Sequence, residues 1–175
     1  MSGPYRIGPV RIGSPICEDA WFSDVSETLA ETGAEILLVP NGSPYFRGKF
    51  DTRMAHMVAR TVETGLPLVY LNMVGGQDDQ VFDGGSFVLN PHGMLAVKLP
   101  LFDEALVHVD FTRTEKGWRA ETGERAVFPD PWEQDYRVMV MALGDYMRKA
   151  GFSKAVLGLS GGIDSCSILG LATNL

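Results

Sequence analysis

Three short apolar runs limit what this chain can fold into: "VRIGSPIC" (residues 10–17), "EILLVP" (35–40) and "LPLVYLNMV" (66–74). The first and third read as strands, and the second, the most continuously apolar, suits a sheet that helices cover on both faces. Helical patterns separate them. After the first run, "DVSE" (Asp24 to Glu27) offers a D-x-x-E variant of the capping box, and Gly33 a stop signal. After the second, Phe50, Met54, Met57, Val58, Thr61 and Val62 share one helix face. The order β-α-β-α-β implies parallel strands joined by helical crossovers, the mark of an α/β fold.

The rhythm then changes. "GSFVLN", "MLAVKL" and "ALVHVDF" read as three short strands, the first two joined by the turn "PHG". From Thr112 to Trp132 the chain is polar and broken by prolines, which reads as a linker. "WEQDYRVMVMALGDYMRKAG" (132–151) has the pattern of a helix stopped by Gly151. "KAVLGLS" reads as a strand and "SCSILGLATNL" as the start of another helix. The expected organisation is most of one α/β unit over residues 1–112, a linker over 113–132 and the opening of a second unit over 133–175.

Composition narrows the setting. The net charge of −7 argues against a surface built for nucleic acid or anionic membrane. No apolar run approaches the ~18 residues of a membrane span, and "MSGPYRIGPV" holds no apolar signal-peptide core. Two cysteines, Cys17 and Cys166, suit a reducing cytosol better than a disulfide framework. A cytoplasmic globular protein is expected.

Two segments carry chemistry. In "GLSGGIDSC" (158–166), Gly161 and Gly162 allow a tight turn and close backbone approach to a ligand. The helix that follows aims free N–H groups and its positive dipole end at the same spot. Ser160 and Ser165 add hydroxyls, and Asp164 could hold a magnesium ion bridging phosphate oxygens. It is not a Walker A loop, because G-x-x-x-x-G-K-[ST] is absent. In "PICEDAW" (15–21), a thiol at the end of a parallel strand stands at the sheet edge where α/β folds bind ligands. Cys17 becomes a nucleophile if its pKa is lowered or a base lies near. The backbone N–H of Glu18 is placed to donate to an oxyanion. A lone cysteine closing a strand also packs well in a core. Glu18 and Asp19, as neighbours on a strand, would point to opposite faces and form no acid pair.

"SGGIDS" resembles the pyrophosphate loop of the ATP pyrophosphatases, which have a Rossmann-like adenine nucleotide α-hydrolase fold. "RIGSPICEDAW" is similar to the nucleophile segment of nitrilase-type amidases, especially the glutaminase domain of glutamine-dependent NAD synthetases. "VPNGSPYFRGK", "NMVGGQDDQVFDGGSF" and "GLSGGIDS" follow in the order that family shows. The resemblance covers nearly the whole chain and implies the later part of a nitrilase-like α/β sandwich followed by the first strand-loop-helix of a synthetase domain.

It also implies roles. Cys17 would attack the side-chain amide of glutamine, with the Glu18 N–H as oxyanion donor. Ser43 and Lys49 would hold the glutamine, with Arg47 a weaker candidate. Gly158, Leu159, Ser160, Gly161, Gly162, Ile163, Asp164 and Ser165 would bind ATP, with Mg2+ at Asp164. The released ammonia would amidate adenylated nicotinic acid adenine dinucleotide (deamido-NAD) in a homo-oligomeric ligase. The family uses no histidine, so His56, His92 and His108 read as structural or surface groups. Met54, Met57, Met139 and Met141, with Cys166, read as packing.

The chain departs from the pattern at both ends. The family's base glutamate and stabilising lysine precede the cysteine, yet "MSGPYRIGPVRIGSPI" contains neither. The synthetase unit stops early in its first helix. The expectation is an internal fragment of a longer ligase, itself not competent, with part of its core exposed. Two other readings stay open: a fragment of another amidotransferase, and a non-catalytic binding or interaction module.

Overall fold

The three apolar runs become the parallel centre of one sheet. In the computed structural model, which describes residues 3–174, β1 (Tyr5–Ile7) folds back on β2 (Val10–Gly13) as an antiparallel edge. Helix α1 (Ser23–Glu31) leads to β3 (Ile36–Asn41), and α2 (Lys49–Thr64) leads to β4 (Leu68–Asn72). Strands β2, β3 and β4 run parallel, with Leu37 opposite Leu68 and Asn41 opposite Asn72. A small hairpin follows, β5 (Val74–Gln77) against β6 (Gln80–Asp83). Then β7 (Phe87–Asn90) and β8 (Met94–Lys98) extend the main sheet antiparallel, giving the order β1-β2-β3-β4-β7-β8.

Alternation along the strands sorts the core. Leu37, Val39, Leu68, Tyr70, Phe87 and Leu89 face α1 and α2 and pack with Leu29 and Met57. Tyr70 and Phe87 stack with ring centroids 4.8 Å apart. Each fully buried side chain of this size contributes about 1.5–3 kcal/mol. On the other face Val88, Ala96 and Val97 pack with Ala120, flanked by Val69 and Phe111. Covering there is incomplete: Leu71 is 58% exposed.

Several expectations change. The first strand stops at Gly13 because Pro15 has no N–H for the ladder, so Cys17 does not end a strand. The first helix begins at Ser23, and Asp24 is not its cap. Val62 turns outward, while Arg53 and Arg60 are buried on the inward side of α2. Residues 105–110 form no strand, and His108 is exposed there. The expected linker instead starts with a hairpin, β9 (Phe111–Thr114) against β10 (Gly117–Ala120). Residues 124–126 run alongside β8, with Lys98 N donating to Glu124 O at 2.9 Å. These strands are mostly solvent-facing, and their polar sequence hides them.

Helix α3 (Pro131–Ala150) is capped by Asp130, whose carboxylate accepts from the N–H groups of Trp132 and Glu133. Helix α4 (Ile163–Ala172) packs against α3. The run "KAVLGLS" forms no strand, since no strand lies beside it among the described residues, and Val156 is fully exposed. Cys166 and Met139 are exposed too, not core. No helix among the described residues is long and apolar enough to cross a membrane.

Candidate functional site

Cys17 opens a five-residue 3-10 turn, Cys17–Trp21, just beyond the end of β2. Its φ is +52°, a left-handed conformation that costs a non-glycine residue roughly 1–2 kcal/mol. The turn is fastened locally: Asp19 N–H donates to Ile16 O at 3.0 Å, and the Asp19 carboxylate accepts from Ile16 N–H at 3.1 Å. Asp19 is thus a fastener of the turn, and the strand geometry expected for Glu18 and Asp19 does not apply. The Glu18 N–H meets no acceptor among the described residues.

Trp21 ties this turn to α2. His56 stacks on its ring at 4.7 Å, a packing role, and the Lys49 ammonium lies 4.4 Å from the same ring's centroid. Phe46 takes the ammonium at 4.4 Å as well. Burial, then the charge of Arg53, holds the Lys49 pKa below its ordinary value, and Cys17, Asp83 and Glu18 act in the opposite direction. Trp21 thus links Lys49 to the turn that contains Cys17 and Glu18.

Ser43 lies six residues before Lys49 and is buried. Its N–H donates to Asn72 Oδ1 at 2.9 Å, and its carbonyl accepts from Asn72 Nδ2 and from Arg53 Nη2. Its hydroxyl accepts from Arg53 Nε at 3.0 Å. Arg53 is wholly buried and grips Asp83 with two bonds, at 2.8 and 3.0 Å. Four elements thus converge on the segment 43–49: α2 through Arg53, β4 through Asn72, β6 through Val81, whose carbonyl accepts from Tyr45 N–H at 2.7 Å, and α3. The last contact comes from Asp135, which accepts from Tyr45 Oη at 2.8 Å and from Arg47 Nε at 2.9 Å. The Tyr45 phenol is pushed up to about 12 by burial and by Asp135, whose own pKa is lowered by Arg47 and Tyr45. A cavity of about 440 Å³ opens beside the segment, lined by Phe46, Lys49, Asp83, Phe128 and Gln134 among others.

The second expected site stands apart, on the solvent side of α4. Gly161 has φ +82° and Gly162 is the helix N-cap. Ser160 and Ser165 hydroxyls lie 3.0 Å apart, and Gly162 N–H donates to Ser160 Oγ at 3.3 Å. Asp164 falls in the first helical turn. Gly158, Leu159 and Ile163 are exposed. The donor set fits phosphate: free helix N–H groups, two hydroxyls and no side chain blocking Gly161. One carboxylate fits Mg2+ held chiefly by phosphate oxygens; no cluster of three metal-ligating residues exists among the described residues.

Trp21 links Lys49 to the turn of Cys17 and Glu18, and Ser43 is held separately on the Arg53 network. Sequence reasoning missed Arg53, Asp83, Asn72, Trp21 and Asp135. Arg53 left a signal as a charge inside the apolar stripe between Phe50 and Met57, and Asn72 and Asp83 stand inside "NMVGGQDDQVFDGGSF", read only as a segment.

Residues 3–119 match the carbon-nitrogen hydrolase family, and residues 135–175 match NAD synthase. The chain is 60% identical, over 99% of its length, to the glutamine-dependent NAD(+) synthetase of Rhodobacter capsulatus, of which it covers 32%. It is 44% identical to the enzyme of that name from Xylella fastidiosa strain 9a5c, over 97% of this chain and 31% of that one. A solved glutamine-dependent NAD+ synthetase from Acinetobacter baumannii, in complex with adenosine diphosphate, superposes with a TM-score of 0.88 at 37% identity. That match covers 98% of this chain and 32% of the other. An amidase from Nesterenkonia sp. AN1, bearing acrylamide added at its active-site cysteine, gives 0.51 at 30% identity over 57% of this chain and 39% of its own. The chain spans about a third of the length of the curated relatives it matches.

Proposed function

The chain belongs to the carbon-nitrogen hydrolase family, and from that premise we propose that it carries the glutamine-hydrolysing cysteine and the first phosphate loop of an ATP-dependent NAD(+) synthase. The observation that carries this reading is the Cys17 turn, a thiol held at positive φ with the Glu18 N–H next to it, unpaired among the described residues, and the Lys49 ammonium held over Trp21 at the end of the same turn. Its assigned residues are Cys17 as nucleophile, Glu18 N–H as oxyanion donor and Ser43 and Lys49 as glutamine contacts.

In the reaction, Cys17 Sγ bonds to the side-chain carboxamide carbon of glutamine. The tetrahedral intermediate places its O⁻ on the Glu18 N–H. Collapse breaks the C–N bond, and the thiol's proton leaves with ammonia. Water then cleaves the thioester to glutamate. Lys49 suits the α-carboxylate of glutamine, because a half-desolvated ammonium binds a carboxylate more strongly than an exposed one does. The family's base glutamate and second lysine have no counterpart among the residues preceding Cys17.

The ammonia would amidate deamido-NAD after its adenylation by ATP. Residues 158–165 would cradle the ATP phosphates, and Asp164 would hold the Mg2+ that neutralises their charge. Residues 1–112 and 133–175 would form the two units, in a cytoplasmic homo-oligomer at full length.

The test is covalent labelling by a diazoketone analogue of glutamine, mapped by peptide mass. A single adduct at Cys17, suppressed by glutamine and absent from exposed Cys166, supports the reading. Equal labelling of both thiols, unaffected by glutamine, would falsify it.

A further inference from the structure

We infer that Asp135, on the helix that matches NAD synthase, is a positioning residue for the loop bearing Ser43 and Lys49; this rests on the glutamine reading of those two residues. The loop has no secondary structure of its own between Gly42 and Phe46. It presents two polar side chains between Ser43 and Lys49, Tyr45 and Arg47, and both end on the one carboxylate of Asp135. Arg47 is also stacked over Trp132 at 4.4 Å, three residues earlier on the same helix. Positions three apart lie on one helix face, so α3 takes the arginine from two points at once.

The other anchors of the loop act at its inner side. Arg53 holds Ser43 and Pro44, and Tyr45 N–H donates to Val81 O at 2.7 Å. Neither reaches past Tyr45. Lys49 begins α2 behind Gly48, which sits at φ +76° with no side-chain cap. The direction from which Lys49 enters the helix is thus set by residues 45–48, whose outer hold is Asp135.

For a helix to position a loop, the helix must itself be fixed. Asp130 caps α3 at one end. Toward the other, Asp145 accepts from Gly76 N–H at 2.6 Å and Lys149 donates to Gly76 O at 2.5 Å. The helix is pinned to the β5–β6 hairpin, the same hairpin that holds Tyr45 through Val81 and Arg53 through Asp83. Asp135 therefore stands on a referenced frame. Its consequence is that the synthase-side helix sets the geometry of the glutamine loop, and by linkage a ligand on that loop changes how firmly α3 is held.

Asp135→Ala and Asp135→Asn variants of the 175-residue chain test this, with Arg137→Ala as control because Arg137, among the described residues, pairs with Glu133 on the exposed side of α3 and touches no part of the loop. Two readouts are taken: amide hydrogen exchange over residues 45–49, and labelling of Cys17 by the diazoketone analogue beside labelling by iodoacetamide. Asp135→Ala should speed exchange in 45–49 and raise the half-saturating analogue concentration roughly threefold to tenfold, as loss of one charge-assisted contact does. Asp135→Asn, which keeps one acceptor, should fall between, Arg137→Ala should match the wild type, and iodoacetamide rates should not move. Unchanged exchange in Asp135→Ala overturns the inference, as does an unchanged analogue dependence. If the analogue labels no protein while exchange still rises, the glutamine reading fails and the hold of Asp135 on the loop stands.

Discussion

The ammonium of Lys49 lies 4.4 Å from the ring centroid of Trp21, the last residue of the turn that Cys17 opens. One indole thereby joins the thiol turn to the first residue of α2. The contact holds a cation at the end of the Cys17 turn with no salt bridge to Lys49 among the described residues, which suits the ammonium to a ligand carboxylate.

That charge is sensitive to pH. The Lys49 pKa sits below its ordinary 10.5, first through burial and then through Arg53. Below the folded pKa the group is charged in both states and the fold carries the penalty of holding it. Between the folded pKa and 10.5 the unfolded chain binds more protons, so this group's contribution to stability rises with pH. Over the same window the site loses its positive charge, and glutamine should protect Cys17 from labelling less well. Lys49→Met should remove the protection at every pH while changing stability by under about 1 kcal/mol, because the stem packing is kept. Protection that survives the substitution would exclude Lys49 from the site.

Cys17 stores backbone strain at φ +52°. Glycine relieves that strain, so Cys17→Gly should be between neutral and about 1 kcal/mol more stable than the wild type in urea denaturation. It should also take up no glutamine analogue. A loss of more than about 1.5 kcal/mol would mean that the side chain serves packing instead.

Arg53 and Asp83 form a pair with side-chain exposures of 0% and 3%. Breaking such a pair from one side strands a buried charge and costs about 3–5 kcal/mol. Arg53→Met and Asp83→Leu should each show that loss, and the double variant should lose much less than their sum. Additive losses in this cycle would show that the two groups are stabilised independently.

Tyr70 carries its hydroxyl into the core without a hydrogen bond of ordinary geometry; Ser43, its polar neighbour, already accepts from Arg53. Burial pushes its phenol up to about 12. Tyr70→Phe keeps the stacking on Phe87 and deletes an unpaired group, so stability should hold or rise by up to about 1 kcal/mol. A clear loss in thermal unfolding would reveal a partner for the hydroxyl.

Much of the framework was legible in the chain. The apolar runs gave β2, β3 and β4 with parallel pairing, and the stripe of α2 gave its buried face apart from Val62. The β9–β10 hairpin was not legible, since strands open to water read like linker. "KAVLGLS" was misread for the converse reason: an apolar run becomes a strand only where a neighbour completes its ladder.

By itself the sequence determined the residue types and their local order: a thiol after a short strand, a serine and a lysine six apart, a glycine turn opening a helix. These follow from spacing and backbone preference, which are local properties. Only the tertiary structure decided that Trp21 would join Cys17 to Lys49, that Arg53 would seat Ser43 on Asp83, and that Asp135 would reach the same loop from 88 residues away. Those contacts depend on where crossovers return the chain and on which polar groups must find partners once water is excluded. No local pattern encodes that, because burial belongs to the assembled core.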